Sequence, residues 1–320
     1  MNEAIALLGY ALVVGVGGAA WLRRAQWTRR APRLGVAAWQ ALSVSVLLSL
    51  LLAGVSVVVP TDVVSSSLAE LLRACAMAIQ AQYATPGGAI VHAVSAAATI
   101  ALAVRTGYMY ASALTRARRQ AKQHLRGLTL AGRRDPRLDA LVVDHPTAAA
   151  YCLPGRSRTV VLTSAAVASL SPVELAAVLA HERAHLRGRH HLVLASALAL
   201  SRSVPVLPIF KWAYLEQSRL LEMIADDRAA STVGSRLTVA RALLRLAEGV
   251  LAPPVALGAA DVAAVSRVER LLAPQRLLTL PARAATACLI AAAVLLPITI
   301  AVAPAGLAAW ADYCPISLGA

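Results

Sequence analysis

Charge is scarce in this 320-residue chain: only 15% of residues are charged, where a soluble domain of this size carries about 25%. That balance excludes a disordered chain, which needs high polarity, and argues against an ordinary soluble enzyme. Acidic residues are the scarcer sign, with 16 Asp+Glu against 31 Lys+Arg and a formal net charge of +15. Such an excess fits either a nucleic-acid partner or a membrane topology signal, and its placement decides between them. Cysteine is also sparse. Cys75, Cys152, Cys288 and Cys314 are far apart and form no C-x-x-C pair, so thiolate zinc and redox motifs are excluded.

Apolar residues take the place of charge, at 58% of the chain. Four stretches carry no Asp, Glu, Lys or Arg: Ala4–Leu22, Leu34–Val59, Gly87–Val104 and Ala284–Ala311. Each is long enough to cross a bilayer, which takes about 20 apolar residues. The third is the shortest, and Arg105 at its end is expected to snorkel to the interface. Gly9, Gly15, Gly17 and Gly18 allow close helix packing in lipid.

Arg23, Arg24, Arg29, Arg30 and Arg33 lie between the first two stretches, and Arg116, Arg118, Arg119, Lys122 and Arg126 follow the third. The loop Pro60–Pro86 holds only Arg73 beside Asp62 and Glu70. By the positive-inside rule both ends and that loop lie outside, with Leu114–Arg283 in the cytoplasm. The expected organisation is three spans within 1–113, a cytoplasmic domain over 114–283, and a fourth span with a short outer tail over 284–320. The first stretch is not a signal peptide, because its positive charge follows it. Leu68, Leu71, Leu72, Cys75 and Ile79 fall at helical spacing in the outer loop. Cys75 and Cys314 share the outer side and could pair; otherwise all four cysteines read as small hydrophobes.

The chemistry sits in one segment. Ser171-Pro172-Val173-Glu174 is a helix start, with Ser171 at N-cap, Pro172 at N1 and Glu174 closing a capping box. The helix then carries His181-Glu182-Arg183-Ala184-His185, an H-E-x-x-H pattern. Its histidines lie one turn apart on one face and can share a zinc ion, with Glu182 placed as general base. Two third ligands compete. His191 completes H-E-x-x-H-x-x-G-x-x-H, with Gly188 breaking the helix, as in metzincins. Glu222 opens Glu222-Met-Ile-Ala-Asp226, where Asp226 would orient a ligand histidine. The only later methionine, Met223, sits in a helical segment, which disfavours a methionine turn.

The order of motifs resembles the BlaR/MecR-type integral membrane zinc metallopeptidases, in particular their short actinobacterial members. It runs Ala150–Gly155 and Thr159–Thr163 as strand, turn, strand, then Leu170–Glu174, Ala180–His185, Pro208–Trp212, Glu222–Ala229 and Arg267–Leu272. The resemblance covers about Leu138–Leu272 in motifs and the whole chain in topology. It implies a mainly α fold: multi-pass transmembrane helices with an inserted cytoplasmic α+β gluzincin-like peptidase domain, in a bacterial plasma membrane. It favours Glu222 beside His181 and His185 as ligands of one Zn2+, with Glu182 as base. The strand around Tyr151, Cys152 and Leu153 is the expected substrate-binding edge. His145, Tyr214 and Arg267 are candidates for a second oxyanion donor.

The family's antibiotic sensors carry an extracellular penicillin-binding domain after the last span. This sequence has a short tail there, with Trp310 and Tyr313 as interface anchors. Signals are therefore expected through the loop, the spans, a membrane sensor partner or further copies of the chain. The resemblance implies cleavage of a cytoplasmic repressor of the BlaI/MecI type and no direct nucleic-acid contact. The alternatives are a quality-control endopeptidase similar to HtpX-type proteases and a non-enzymatic zinc-bound signalling scaffold. An arginine-lined anion pore is disfavoured, because the arginines avoid the spans. His191–Phe210 is apolar but too short for two crossings, so a buried or shallowly re-entrant hairpin bending at Pro205 and Pro208 is expected.

Overall fold

The computed structural model describes residues 2–58, 77, 87–155, 158–248, 259–274 and 277–313. Cys75 and Cys314, and all of the outer-loop helix positions named above, lie outside the described residues.

Four helices are long and apolar enough to cross a membrane: Asn2–Arg24, Pro32–Val58, Gly88–Thr129 and Leu280–Pro304. The first comprises α1 (Asn2–Leu12), a π-helical turn (Val13–Gly18) and α2 (Ala19–Arg24). A short α3 (Trp27–Arg30) leads into α4 (Pro32–Val58). At 27 residues α4 is about 40 Å long, ample for a hydrocarbon core of about 30 Å. The third lies in α5 (Gly88–Ala131), a single 44-residue helix that passes unbroken through positions 113 and 114. The last span belongs to α12 (Leu280–Tyr313).

These helices pack on α4, and hydroxyl groups tie them together. Pro297 lies inside α12 and has no N–H to give to the carbonyl four residues back. That carbonyl, on Ala293, instead accepts from Tyr10 Oη at 2.8 Å and from Ser45 Oγ. A helix break is thus satisfied by neighbouring helices, as an apolar surrounding demands. Ser49 Oγ donates to Leu7 O at 2.9 Å. A methyl at Gly54 would overlap Thr99, so that glycine lets α4 and α5 approach.

Beyond the spans, α5 continues onto a four-stranded sheet. The strands are β1 (Gly132–Asp135), β2 (Ala140–Val143), β3 (Ala150–Leu153) and β4 (Thr159–Thr163), in the order β1-β2-β4-β3. Only the β2–β4 pair is parallel. The alternation of β4 decides what lies on each face. Val160 and Leu162 pack with Leu175, Val178 and Leu179 of α7 (Pro172–Arg187). Val161 packs with Leu125 and Leu128 of α5. β3 is therefore an edge strand, next to α7. A short α6 (Ser164–Ser169) joins β4 to α7.

The segment after α7 is a helical hairpin: α8 (His190–Ser203), a turn holding Pro205, and α9 (Pro208–Val233). Its tip is packed among the spans. Ile209 and Phe210 share a buried cluster with Leu22, Trp39 and Val46, and Ile209 stands close to Gly15. Arg105, at the end of the third charge-free stretch, bonds to the end of α8. Its Nε donates to Ser203 O at 2.8 Å and its Nη2 to Arg202 O at 2.9 Å, capping α8 where free carbonyls need donors. α9 then runs from the spans to Glu222, about 20 Å further along its axis. α10 (Arg236–Glu248) and α11 (Ala259–Leu272) close the remaining side.

Candidate active site

The expected capping box forms at α7. Ser171 N–H donates to Glu174 Oε2 at 2.9 Å, and Glu174 N–H donates to Ser171 Oγ at 3.4 Å. Sixteen residues of regular helix follow, which puts His181 and His185 on one face. α9 crosses that face and brings in Glu222. The Nε2 atoms of the two histidines are 3.1 Å apart, and each is 3.4 Å from a Glu222 carboxylate oxygen. Ligands about 2.0–2.1 Å from one tetrahedral zinc stand about 3.3 Å from one another. Two imidazole nitrogens and a carboxylate at this spacing therefore fit zinc, and among the described residues they form a group able to hold a metal ion.

His191 lies outside that group. The reason is the backbone between the helices. Gly188 continues helical, and Arg189 turns left-handed with φ of 50°. α8 therefore starts at His190, and His190 rather than its neighbour points back at the motif. His190 Nδ1 is 2.9 Å from His185 Nδ1. His191 sits near Arg118 and Arg189. Two adjacent histidines differ by about 100° around a helix, and sequence spacing could not choose between them.

Asp226, one turn after Glu222, is 1% exposed. Its Oδ1 is 3.0 Å from His181 Nδ1, at an oblique approach rather than in line with the N–H. Arg267, on α11, grips Asp226 with both arms, Nε to Oδ2 at 2.8 Å and Nη2 to Oδ1 at 2.7 Å. Its third nitrogen reaches Glu222 Oε2 at 3.0 Å. Next door, Arg270 forks onto Asp227 and donates to Arg29 O in the loop between the first two spans. Arg267 was a candidate oxyanion donor; here its nitrogens are engaged with two carboxylates. His145 lines a separate shallow depression with Asp144 and Ser164, and Tyr214 does not line the cavity at the motif.

The charges follow from these contacts. Burial opposes a charge on His181, but Asp226 and Glu222 outweigh it and lift its pKa to about 9. Burial drives His185 down to about 4. Burial raises Glu182 above the ordinary carboxylate range. Against burial, the bonds from Arg267 and the nearby His181 hold Asp226 at about 2. Burial and then the nearby Glu182 push Cys152 up to about 12, so its thiol stays protonated.

A cavity of about 440 Å³ opens on this group, lined by Tyr151, Cys152, His181, Glu182, His185, Glu222 and Arg267. Apolar side chains including Val178, Val239, Leu243 and Leu246 complete it. Leu153 instead packs on the α5 side of the sheet. With Glu222 supplying the third donor atom, Glu222→Ala should lose bound zinc while His191→Ala keeps one ion per chain. Metal analysis of the purified proteins checks this.

Searches of curated proteins and of solved structures returned no match to this chain. A model of peptidase family M48 does match, over residues 112–279. That stretch runs from the second half of α5 through α11, and takes in the motif helix, Glu222, Asp226 and Arg267. M48 peptidases are zinc-dependent metallopeptidases, in accord with the donor group described above. More than half of the sequence is covered, and the chain belongs to peptidase family M48.

Proposed function

We propose that this chain is a membrane-embedded zinc endopeptidase of the BlaR/MecR type whose site faces the cytoplasm and cuts a BlaI/MecI-type repressor. The observation that carries the peptidase reading is the placement of Glu182 beside the His181, His185 and Glu222 donor atoms, in a cavity walled by an edge strand. His181, His185 and Glu222 would hold the zinc. The ion supplies Lewis acidity, which polarises the scissile carbonyl and makes water acidic near neutral pH. Glu182 takes the proton of the attacking water on its carboxylate and returns it to the leaving amine. Asp226 holds the far nitrogen of His181 and keeps the near one free. An extended substrate adds to the free edge of β3 at Tyr151 and Cys152, and an apolar side chain enters the pocket of Val178, Val239, Leu243 and Leu246.

The arginines at one end of the spans support a cytoplasmic site over 114–283, with both termini outside. The signalling role draws on how tightly the spans and the site are joined. α9 carries Glu222 from a tip packed among the spans, and α11 carries Arg267 while touching the Arg29 loop. Comparing peptide termini in cells that make wild type or Glu182→Gln tests the substrate. One protein cut in the wild type alone is the expected result. Many misfolded membrane proteins accumulating in the variant would replace signalling by quality control.

A further inference from the structure

We infer that His190 is a positioning residue for the second histidine of the metal group, setting the tautomer and ring rotation of His185. The inference rests on the zinc-peptidase reading above. A neutral imidazole carries one N–H and one lone pair. For His185 to direct its Nε2 lone pair at a metal, its proton must sit on Nδ1. His190 Nδ1, 2.9 Å away, then accepts a hydrogen bond from that N–H, and the His190 proton sits on Nε2. In the reverse arrangement His185 would aim an N–H at His181 Nε2, 3.1 Å away, and close the metal position.

His190 is built into this place. It is buried, and its ring stands edge-on to His185 at 85° with centroids 4.7 Å apart. The left-handed Arg189 directs it. Gly188 leaves the room it needs: a Cβ there would overlap His190 Nε2 and come within 2.6 Å of Cδ2. The two ligand histidines thus have different orienters. His181 has an arginine-clamped carboxylate, and His185 has a second imidazole.

Asparagine and glutamine separate this role from simple packing, because Asn places its carbonyl where Nδ1 stood and Gln places it near Nε2. In the full-length protein, His190→Asn should bind zinc within about two-fold of wild type. His190→Gln and Gly188→Ala should bind about 10–100-fold more weakly. Zinc affinity is read by chelator competition, and the ligand field by the visible spectrum of the cobalt-substituted protein, altered in the weak variants only. Equal zinc affinities for the Asn and Gln variants overturn the inference. So does a fall in the melting temperature of the zinc-free Gln protein that matches the lost affinity, since that assigns His190 to packing. Wild-type protein that binds no zinc would instead sink the peptidase reading itself.

Discussion

Glu182→Gln should bind zinc as tightly as the wild type and lose peptide-bond hydrolysis by about 10²–10⁴-fold, the usual contribution of a placed general acid–base. The amide keeps the shape of the carboxylate, but it cannot take a proton from water. Burial makes the carboxylate a stronger base than an exposed glutamate. The loss should fall on kcat, with KM for a cleaved peptide little changed, because Glu182 acts on the transition state rather than on binding. Single-turnover hydrolysis of a fluorogenic peptide, with zinc content measured on the same sample, tests both halves. Retained hydrolysis in a zinc-loaded variant would remove Glu182 from the base role.

Arg267→Met should lower stability by about 3–5 kcal/mol, the cost of leaving a buried charge without its partner. Asp226 is nearly inaccessible, and both its oxygens depend on the guanidinium. Lysine is a poor substitute because it cannot fork, so Arg267→Lys should recover only part of the loss. Adding Asp226→Asn to Arg267→Met should restore much of it, since the orphaned charge is then gone. The acid limb gives the sign. Asp226 has its pKa lowered from 3.8 to about 2. A carboxylate held below its unfolded value contributes stability above about pH 4, lost as pH falls towards 2. In zinc-free wild type this loss should be visible in melting temperatures, and in Arg267→Met it should be largely absent. Unchanged melting of the single variant would show that the fork is not supporting the site.

Much of this was legible in the residues. Long charge-free runs locate the four helices long and apolar enough to cross a bilayer, whose core admits no unpaired charge cheaply. The box at Ser171–Glu174 and the spacing of His181 and His185 need only one helix, so local periodicity suffices to place them. The Glu222-to-Asp226 spacing is equally local. The length of the third helix was not legible: its charge-free stretch stops at Val104, whereas helix α5 continues to Ala131. Its exposed arginines and half-buried leucines read as a cytoplasmic segment, and the sheet it packs on lies further along the chain.

Sequence by itself determined the elements whose causes are local: spans, caps, the helix bearing H-E-x-x-H and the one bearing Glu222. Tertiary structure decided which side chains meet across the 37 to 86 residues that separate the motif histidines from Glu222 and Arg267. It chose His190 over His191 through one left-handed residue. It placed the Arg105 guanidinium on the last carbonyls of α8, and it gave the Ala293 carbonyl to Tyr10 and Ser45. Each of these gives a polar group its partner, and that partner is fixed by how helices pack, which no periodicity along a single helix encodes.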